Sequence, residues 1–242
     1  MLITSVNNKH IKDIVKLKSK KYRDTSDVIL VETKHLVMEA YKAGLIKELI
    51  LEKDEIYPLD VPTLYVSLDV IKKISTIDSP SNVMALVYKK KDDNIGEKIL
   101  VLDKIQDPGN LGAMIRSAVA FNIDTIVCSN DSVDLYNSKV VRASQGMIFH
   151  IPIVVRNIPK FIRELKDKDY KIVGTKVTNG VDVRKASIYS HFALVIGNEG
   201  QGMSEEIENL CDEFLYIGMS DECESLNASV AASILMYEIN NK

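Results

Sequence analysis

Three short polar segments carry the side chains best suited to chemistry. Each follows an apolar run of strand length and leads toward a predicted helix; the segments are 103–112, 197–202 and 217–227. In parallel α/β sheets, ligands bind beyond the carboxyl ends of the strands, in the loops that lead to the next helix. We therefore expect a functional site in these three segments.

Arg116 lies in the helix predicted at 113–121, after the first segment. It is the one charged residue between Asn110 and Phe121, and the positions three and four residues away on either side are uncharged. We expect this arginine to be buried, and a buried arginine needs a partner. That partner is either a distant carboxylate, which makes Arg116 structural, or a bound anion such as a phosphate.

The second segment places Glu199 among three glycines in six residues. Glycines let a backbone approach a ligand closely, and here they leave the carboxylate projecting alone. The spacing is neither the GxGxxG of dinucleotide-binding folds nor a P-loop, which disfavours a nucleotide-dependent oxidoreductase. In the third segment, Ser225 or Asn227 is suited to cap the last predicted helix, 228–239.

The elements that must position these segments follow an α/β pattern. In the second part of the chain, short apolar strands alternate with helical stretches; the strands are 99–102, 125–128, 151–155, 171–174, 192–196 and 214–217. This alternation predicts a largely parallel sheet. The first part has its own strands at 27–31, 46–52, 63–66 and 83–88, with helices at 34–43 and 68–74. The polar stretch 89–97 is the predicted linker, so we divide the chain into domains 1–90 and 97–242.

Charge is distributed very unevenly along the chain. The formal net charge is -3, which on average disfavours a nucleic-acid partner. Residues 1–23 nevertheless carry seven basic side chains and one acidic one, whereas 199–224 carry nine acidic side chains and neither Lys nor Arg. The basic segment is either a solvated helix face or a surface for nucleic acid.

Composition excludes several classes of protein. The chain has 242 residues, of which 46% are apolar and 27% charged, as in soluble globular domains. The longest nearly uncharged stretch, 110–121, is too short to span a membrane, and the N-terminus lacks the pattern of a secretory signal, so we expect a cytoplasmic location. Three cysteines without CxxC spacing predict free thiols and no metal site.

Taken together, the three segments resemble the motifs of the SpoU (TrmH) family of RNA 2'-O-ribose methyltransferases, in the SPOUT class. Residues 102–118 resemble the first family motif, 194–202 the second and 224–237 the third, and 140–146 match another recurrent segment. Residues 1–90 resemble the accessory RNA-binding domain of members that act on large RNAs.

The chain departs from the family pattern at three positions. Gly218 stands where proline is usual, and Ala228 where valine is common. Thr33 follows Glu32 where glycine is usual. None of the three replaces a polar catalytic group.

The resemblance implies the fold, the cofactor and the site. The expected fold is a C-terminal parallel-sheet SPOUT domain with a deep trefoil knot, plus a small N-terminal α/β RNA-binding domain, in a homodimer. S-adenosylmethionine is the implied methyl donor, with no metal. Its adenosyl group is expected at Ile196, Gly197, Ile217, Met219 and Leu226. The implied catalytic residues are Asn110, Arg116, Glu199, Ser225 and Asn227.

The resemblance assigns Arg116 to activation of the ribose hydroxyl. Because arginine keeps its proton at neutral pH, we expect it to bind the adjacent phosphate and stabilise the developing alkoxide. The phosphate or Glu199 would take the proton. Asn110, Ser225 and Asn227 would orient the ribose and the arginine by hydrogen bonds.

The expected partner is RNA, with ribosomal RNA favoured over transfer RNA because of the separate N-terminal domain. The residues expected to contact it are Lys9, Lys12, Lys16, Lys20 and Arg23. One alternative is the same chemistry on transfer RNA. Another is a non-catalytic RNA- or ribosome-binding protein that keeps the fold, against which the intact set of polar residues argues.

Overall fold

The computed structural model describes residues 2–177, 180–187 and 189–240. The strands are β1 (Leu2–Ile3), β2 (Val28–Glu32), β3 (Ile46–Glu52), β4 (Thr63–Val66), β5 (Val83–Tyr88), β6 (Lys98–Leu102), β7 (Thr125–Ser129), β8 (Ile153–Arg156), β9 (Lys171–Thr175), β10 (Val181–Asp182), β11 (Phe192–Ile196) and β12 (Glu213–Tyr216). The helices are α1 (Lys9–Lys16), α2 (Lys20–Asp24), α3 (Lys34–Lys42), α4 (Leu68–Ile74), α5 (Pro108–Ala120), α6 (Ser138–Ala143), α7 (Ile158–Lys166), α8 (Glu205–Glu208) and α9 (Ala228–Asn240).

The chain forms two compact units. The first contains the residues up to Lys90 together with Asp134–His150, and the second contains Lys91–Val133 and the residues from Ile151 onward. The chain therefore leaves the second unit after β7, contributes α6 to the first unit, and returns to form β8. Residues 134–150 belong by contacts to the first unit, although they follow the linker expected at 89–97.

The first unit is built on a mixed sheet in the order β1-β4-β3-β5-β2. Strands β1, β4 and β3 are parallel, whereas β5 runs antiparallel to both β3 and β2. One part of the core lies between this sheet and the helices α1 and α4, and α3 also buries apolar side chains against the sheet. Ile11 and Ile14 of α1 are buried while the lysines of that helix are exposed, so its sequence stripe is the amphipathic face predicted.

The backbone conformation at Thr33 explains why glycine is usual at this position in the family. Its φ is +91°, in the left-handed region that glycine adopts without a steric penalty. Thr33 caps α3, because its side-chain oxygen accepts a hydrogen bond from the Leu36 backbone N–H at 3.4 Å. The threonine thus combines an unfavourable backbone conformation with a favourable cap.

The second unit is built on a fully parallel sheet in the order β10-β12-β9-β11-β6-β7-β8. This confirms the predicted α/β class. Every residue of β6 except Lys98 is buried, as is all of β7 and β11, as expected for central strands covered on both faces. Helix α7 buries Ile158, Phe161, Ile162 and Leu165, one apolar stripe at helical spacing. Each such side chain contributes about 1.5–3 kcal/mol through burial.

The returning segment 134–150 is fixed to the first unit by polar contacts at both ends. The buried guanidinium of Arg23 donates to Asp134 Oδ2 from Nη2 at 2.7 Å and from Nε at 3.0 Å. At the other end, His150 Nε2 lies 2.9 Å from Glu39 Oε2. A Cβ added at Gly146 would lie 2.7 Å from the Cβ of Glu39, so the glycine permits this close approach to α3.

Two expectations about composition can be compared with the structure. No helix in the described part of the chain is long and apolar enough to cross a membrane. Cys128, Cys211 and Cys223 are free thiols, as predicted. Burial raises the pKa of the Cys128 thiol to about 12, so this cysteine is an unreactive core residue.

The Arg23–Asp134 pair gives a test of how firmly segment 134–150 is held. Asp134→Ala leaves a buried guanidinium without its carboxylate, and we expect the free energy of unfolding of the first unit to fall by about 3 kcal/mol. Denaturant titration measures this change. Asp13→Ala, which removes the exposed partner of Lys16, is the control and should have little effect. Equal stability of the two variants would contradict the assignment.

Candidate active site

The three polar segments meet because their strands are parallel. Strands β6 and β11 are neighbours in register, with Leu102 opposite Ile196, so the first and second segments leave the sheet side by side. The backbone N–H of Asp103 donates to Ile196 O at 2.9 Å, which continues this pairing one residue beyond β6. Strand β12, which precedes the third segment, ends at the same edge beyond β9.

Helix α5 begins earlier than its sequence pattern predicts. We expected it to start at Ala113, after a Pro-Gly turn, but it starts at Pro108. The Asp107 side chain caps it by accepting from the Asn110 backbone N–H at 2.8 Å, and proline is well suited to the first helical position. Asn110 therefore sits in the first turn of a helix, which fixes its side chain more firmly than a loop would.

Glu199 joins the second segment to the first. Its Oε1 accepts hydrogen bonds from the Asp107 backbone N–H and from Asn110 Nδ2, both at 3.2 Å, and its Oε2 accepts from the Gln106 backbone N–H at 3.3 Å. Partial burial alone would raise the pKa of this carboxyl, but the hydrogen bonds outweigh burial and lower the pKa below its usual value. Glu199 is consequently ionised, and both of its carboxylate oxygens accept hydrogen bonds.

Asn227 joins the third segment to the first. Its Nδ2 donates to Asn110 Oδ1 at 2.9 Å, while its own Oδ1 accepts from the backbone N–H of Ser229 at 2.9 Å. Asn227 thus caps α9, as one of the two residues predicted to do so. The result is a hydrogen-bonded chain, Glu199–Asn110–Asn227, that ties all three segments together.

The loop that carries Glu199 is braced by its own residues. Asn198 and Gly202 exchange backbone hydrogen bonds at 3.0 and 2.9 Å, and Gly202 has a left-handed φ of +68°. The Asn198 side chain accepts from two backbone N–H groups inside the loop and donates to Lys104 O at 2.8 Å. A Cβ at Gly197 would lie 2.4 Å from backbone atoms of Gly202 and Met203, so this tight closure requires glycine.

A cavity of about 420 Å³ opens beside these loops. Its volume falls in the range of cofactor sites. All five residues expected at the adenosyl group line it, together with Ser225 and Glu199; the five are Ile196, Gly197, Ile217, Met219 and Leu226. The wall is mainly apolar side chains and exposed loop backbone, which suits a flat heteroaromatic ring with a few hydrogen bonds. These residues therefore fit an adenosyl group.

The end of β9 also lines the cavity, through Thr175, Lys176 and Val177. Sequence reasoning missed these residues because no motif marks them; only the position of β9 between β11 and β12 brings them to the site. Thr175 Oγ1 donates to Val195 O at 3.0 Å, and Lys176 pairs with Glu208 at 2.9 Å. The Lys176 charge is thereby partly neutralised where it borders the cavity.

Arg116 differs from its expectation in one respect. Its side chain is exposed on α5 rather than buried, because the helix faces the core with Leu111, Met114, Ile115 and Ala118 instead. The absence of a local ion partner is as predicted: among the described residues Arg116 has neither a hydrogen bond nor an ion pair. Its guanidinium is free to bind an external anion. It does not line the cavity, and it lies about 9 Å along the helix axis from Asn110.

The expected RNA-contacting residues separate into two groups. Lys9, Lys12, Lys16 and Lys20 are exposed, with Lys16 paired to Asp13. Arg23 is buried, bound to Asp134 and to the carbonyls of Leu17 and Lys18. The expectation that Arg23 contacts RNA is wrong for this reason: its donors are used inside the first unit.

Comparison with known proteins identifies the class that this fold and site define. The model of the SpoU rRNA Methylase family matches residues 97–237, and that of the MRM3-like substrate binding domain matches 8–85. The chain belongs to the SpoU rRNA methylase family. The resemblance, the enzyme class and the expected methyl donor are thereby confirmed.

Individual relatives extend over the whole chain. The 23S rRNA (guanosine(2553)-2'-O)-methyltransferase RlmP of Bacillus subtilis (strain 168) is 36% identical over 243 residues, covering 98% of each chain. The AdoMet-bound rRNA methyltransferase from Sinorhizobium meliloti is 29% identical, with a TM-score of 0.87 over 99% of this chain and 97% of that one. An RNA 2'-O ribose methyltransferase structure is 27% identical, with a TM-score of 0.83 over 99% and 98%.

The close backbone packing around Gly197 predicts that a larger residue there weakens cofactor binding. Gly197→Ala forces the loop open, and we expect the affinity for S-adenosylmethionine to fall at least about tenfold, since overpacking costs typically 1–3 kcal/mol. Gly200→Ala is the matched control, because its added Cβ would meet nothing nearer than 3.7 Å. Calorimetric titration of both variants measures the difference. If Gly197→Ala bound as tightly as Gly200→Ala, the cavity would not be the adenosyl site.

Proposed function

We propose that this protein transfers a methyl group from S-adenosylmethionine to a ribose 2'-hydroxyl of large-subunit ribosomal RNA. The observation that carries this proposal is the Glu199–Asn110–Asn227 chain, which joins the three family motifs beside a cavity suited to the methyl donor. The relative that matches 98% of the chain is named for methylation of a guanosine in 23S rRNA. We take the corresponding guanosine as the candidate target.

The cofactor supplies, when bound, an electrophilic methyl group on a cationic sulfur. Ile196 would offer apolar surface to its adenosyl group, and Gly197, Ile217 and Leu226 would offer backbone contacts. Glu199 lines the cavity as an ionised carboxylate, and a negative charge there favours a cation. The chain's remaining task is to orient the ribose and assist removal of its proton as the oxygen–carbon bond forms.

Arg116 is assigned to the RNA side of the reaction. Its exposed, unpaired guanidinium is suited to the phosphate next to the target ribose, since the planar fork matches phosphate oxygens. A cation held there also stabilises negative charge that develops on the ribose oxygen. Because arginine stays protonated, it is not the base.

Glu199 acts as a positioning residue rather than as a proton acceptor. A carboxylate with a lowered pKa is a weaker base, and its oxygens already accept hydrogen bonds from the first motif. We assign the proton instead to the RNA phosphate or to water. Asn110 and Asn227 share one hydrogen bond, and Ser225 lines the cavity, so we assign the three to orienting the ribose.

Four further properties belong to this proposal. A homodimer is supported by α9, which leaves Val230 and Tyr237 about half exposed. Family membership supports a trefoil knot in the second unit and a cytoplasmic location with the ribosome. The exposed lysines of α1 and the start of α2 would contact RNA phosphates, as expected of a substrate-binding domain.

The proposal is tested by methyl transfer with labelled S-adenosylmethionine and unmodified 23S rRNA, followed by mapping of positions resistant to alkaline cleavage. Arg116→Ala should lower the rate constant of transfer about 100- to 1000-fold, and Arg116→Lys less, because it retains the charge but not the fork. Lys168→Gln, an exposed change in the same unit, is the control. Label in a base, or full activity in both Arg116 variants, would refute the assignment.

The role of Glu199 predicts the form of the pH–rate profile. With its folded pKa lowered, Glu199 stays ionised, so its hydrogen bonds are present above the unfolded pKa of about 4.3 and are lost only as pH falls through the lower folded value. No limb of the profile above pH of about 5 should belong to Glu199. Glu199→Gln should lower the rate without removing a limb from the profile; loss of a neutral-pH limb would make Glu199 the base.

A further inference from the structure

Segment 134–150 follows the linker in the sequence but belongs to the first unit, and it adds basic side chains to the surface of that unit. The substrate-binding family model ends at residue 85, whereas α6 packs against β2 of the first unit. Helix α6 carries Lys139, which is exposed, and Arg142, which is partly exposed. The surface of the first unit is therefore not made by the N-terminal residues alone.

Within the part of the chain that the structure describes, the Arg142 side chain has one polar contact and is not neutralised. Its Nη1 donates to Thr76 Oγ1 at 3.4 Å, and no carboxylate of the described residues pairs with it. Thr76 is itself fixed, since its Oγ1 and backbone N–H both donate to Glu32 Oε1, at 2.5 and 2.7 Å. Glu32 is buried and also accepts from Ser75 Oγ at 2.6 Å. The guanidinium thus has one long hydrogen bond, to a neutral hydroxyl, and most of its donors are unused.

The loop after α4, which contains Thr76, contacts both α6 and the basic N-terminal segment. Lys18 Nζ donates to the carbonyls of Lys73 and Ser75, at 2.8 and 2.5 Å. Lys18, Thr76 and Ser138 line one small cavity of about 30 Å³. The N-terminal segment, the loop after α4 and the start of α6 therefore meet at one place on the first unit.

The end of α6 is held rigidly. Gln145 and Gly146 both have left-handed φ values, +52° and +82°, and His35 Nε2 lies 3.2 Å from Gln145 O. This turn, together with the Glu39–His150 contact, holds the residues that follow α6 against α3. Because α6 also packs against β2, the backbone that carries Arg142 is fixed before an anion binds.

We propose that Arg142 and Lys139 bind RNA phosphates, so that α6 forms one continuous RNA-contacting surface with the N-terminal basic segment. This inference rests on the proposed function, because it names a further part of the same substrate's binding surface. Arg142 supplies the bidentate contact and Lys139 a point charge. A single chain segment between β7 and β8 thereby takes part in substrate binding.

The test measures RNA affinity of the full-length protein for an unmodified 23S rRNA fragment at several salt concentrations. Arg142→Gln should raise Kd about five- to tenfold at moderate salt and reduce the salt slope by about one ion, whereas Arg142→Lys should keep the salt slope and raise Kd less, because it retains the charge but not the fork. Lys139→Gln should act in the same direction without any effect on folding, because its side chain is exposed. Lys168→Gln, in the second unit, is the matched control.

The outcomes separate this proposal from the function on which it rests. Binding of S-adenosylmethionine and thermal unfolding should be unchanged in all variants. If Arg142→Gln and Lys139→Gln kept the wild-type Kd and salt slope while Lys12→Gln weakened binding, α6 would not be part of the surface, although the enzyme would still methylate RNA. If the wild type transferred no methyl group to RNA, the proposed function itself would fail.

Discussion

The side chain of Asn110 is the point on which the site depends, because it bonds in both directions. Its amide nitrogen donates to Glu199 and its amide oxygen accepts from Asn227, so a single residue unites segments that are 89 and 117 positions away. This bridge is possible because Asp107 and Pro108 start α5 early and hold Asn110 in a helical turn. The parallel pairing of β6 with β11 then sets the spacing of the two loops before any side chain contributes.

The two units carry charges of opposite sign. The net charge of -3 conceals a basic N-terminal segment and an acidic stretch, 199–224, that includes Glu199 at the edge of the cavity. An RNA polyanion and a cationic methyl donor need surfaces of opposite sign, and one uniformly charged domain would repel one of them. Separation into two units solves this conflict, and Arg116 is the cation that the catalytic unit presents from an otherwise apolar helix.

Much of the architecture was predictable from the sequence because its strands are short, apolar and bounded by clear polar loops. Strands β3, β4, β5 and β11 have the predicted bounds, and the parallel α/β class follows from their alternation with helices. The surroundings of individual side chains were harder to predict from the sequence. The burial of Arg23 depends on Asp134, which is 111 residues away, and the exposure of Arg116 depends on which face of α5 meets the core. The site residues after β9 depend on strand order alone, which no local pattern encodes.

The first unit is built from two separate chain segments, and this affects both evolution and protein engineering. In a modular protein, a cut at the polar linker would yield two independent pieces, and either piece could be recombined with other partners. Here a fragment ending at residue 90 would keep a buried guanidinium at Arg23 but lose its counterion, and the complementary fragment would carry α6 without the surface on which it packs. The substrate-binding and methyl-transferring parts are therefore bound to be inherited together, and an exchange of substrate specificity between relatives must transfer two segments rather than one.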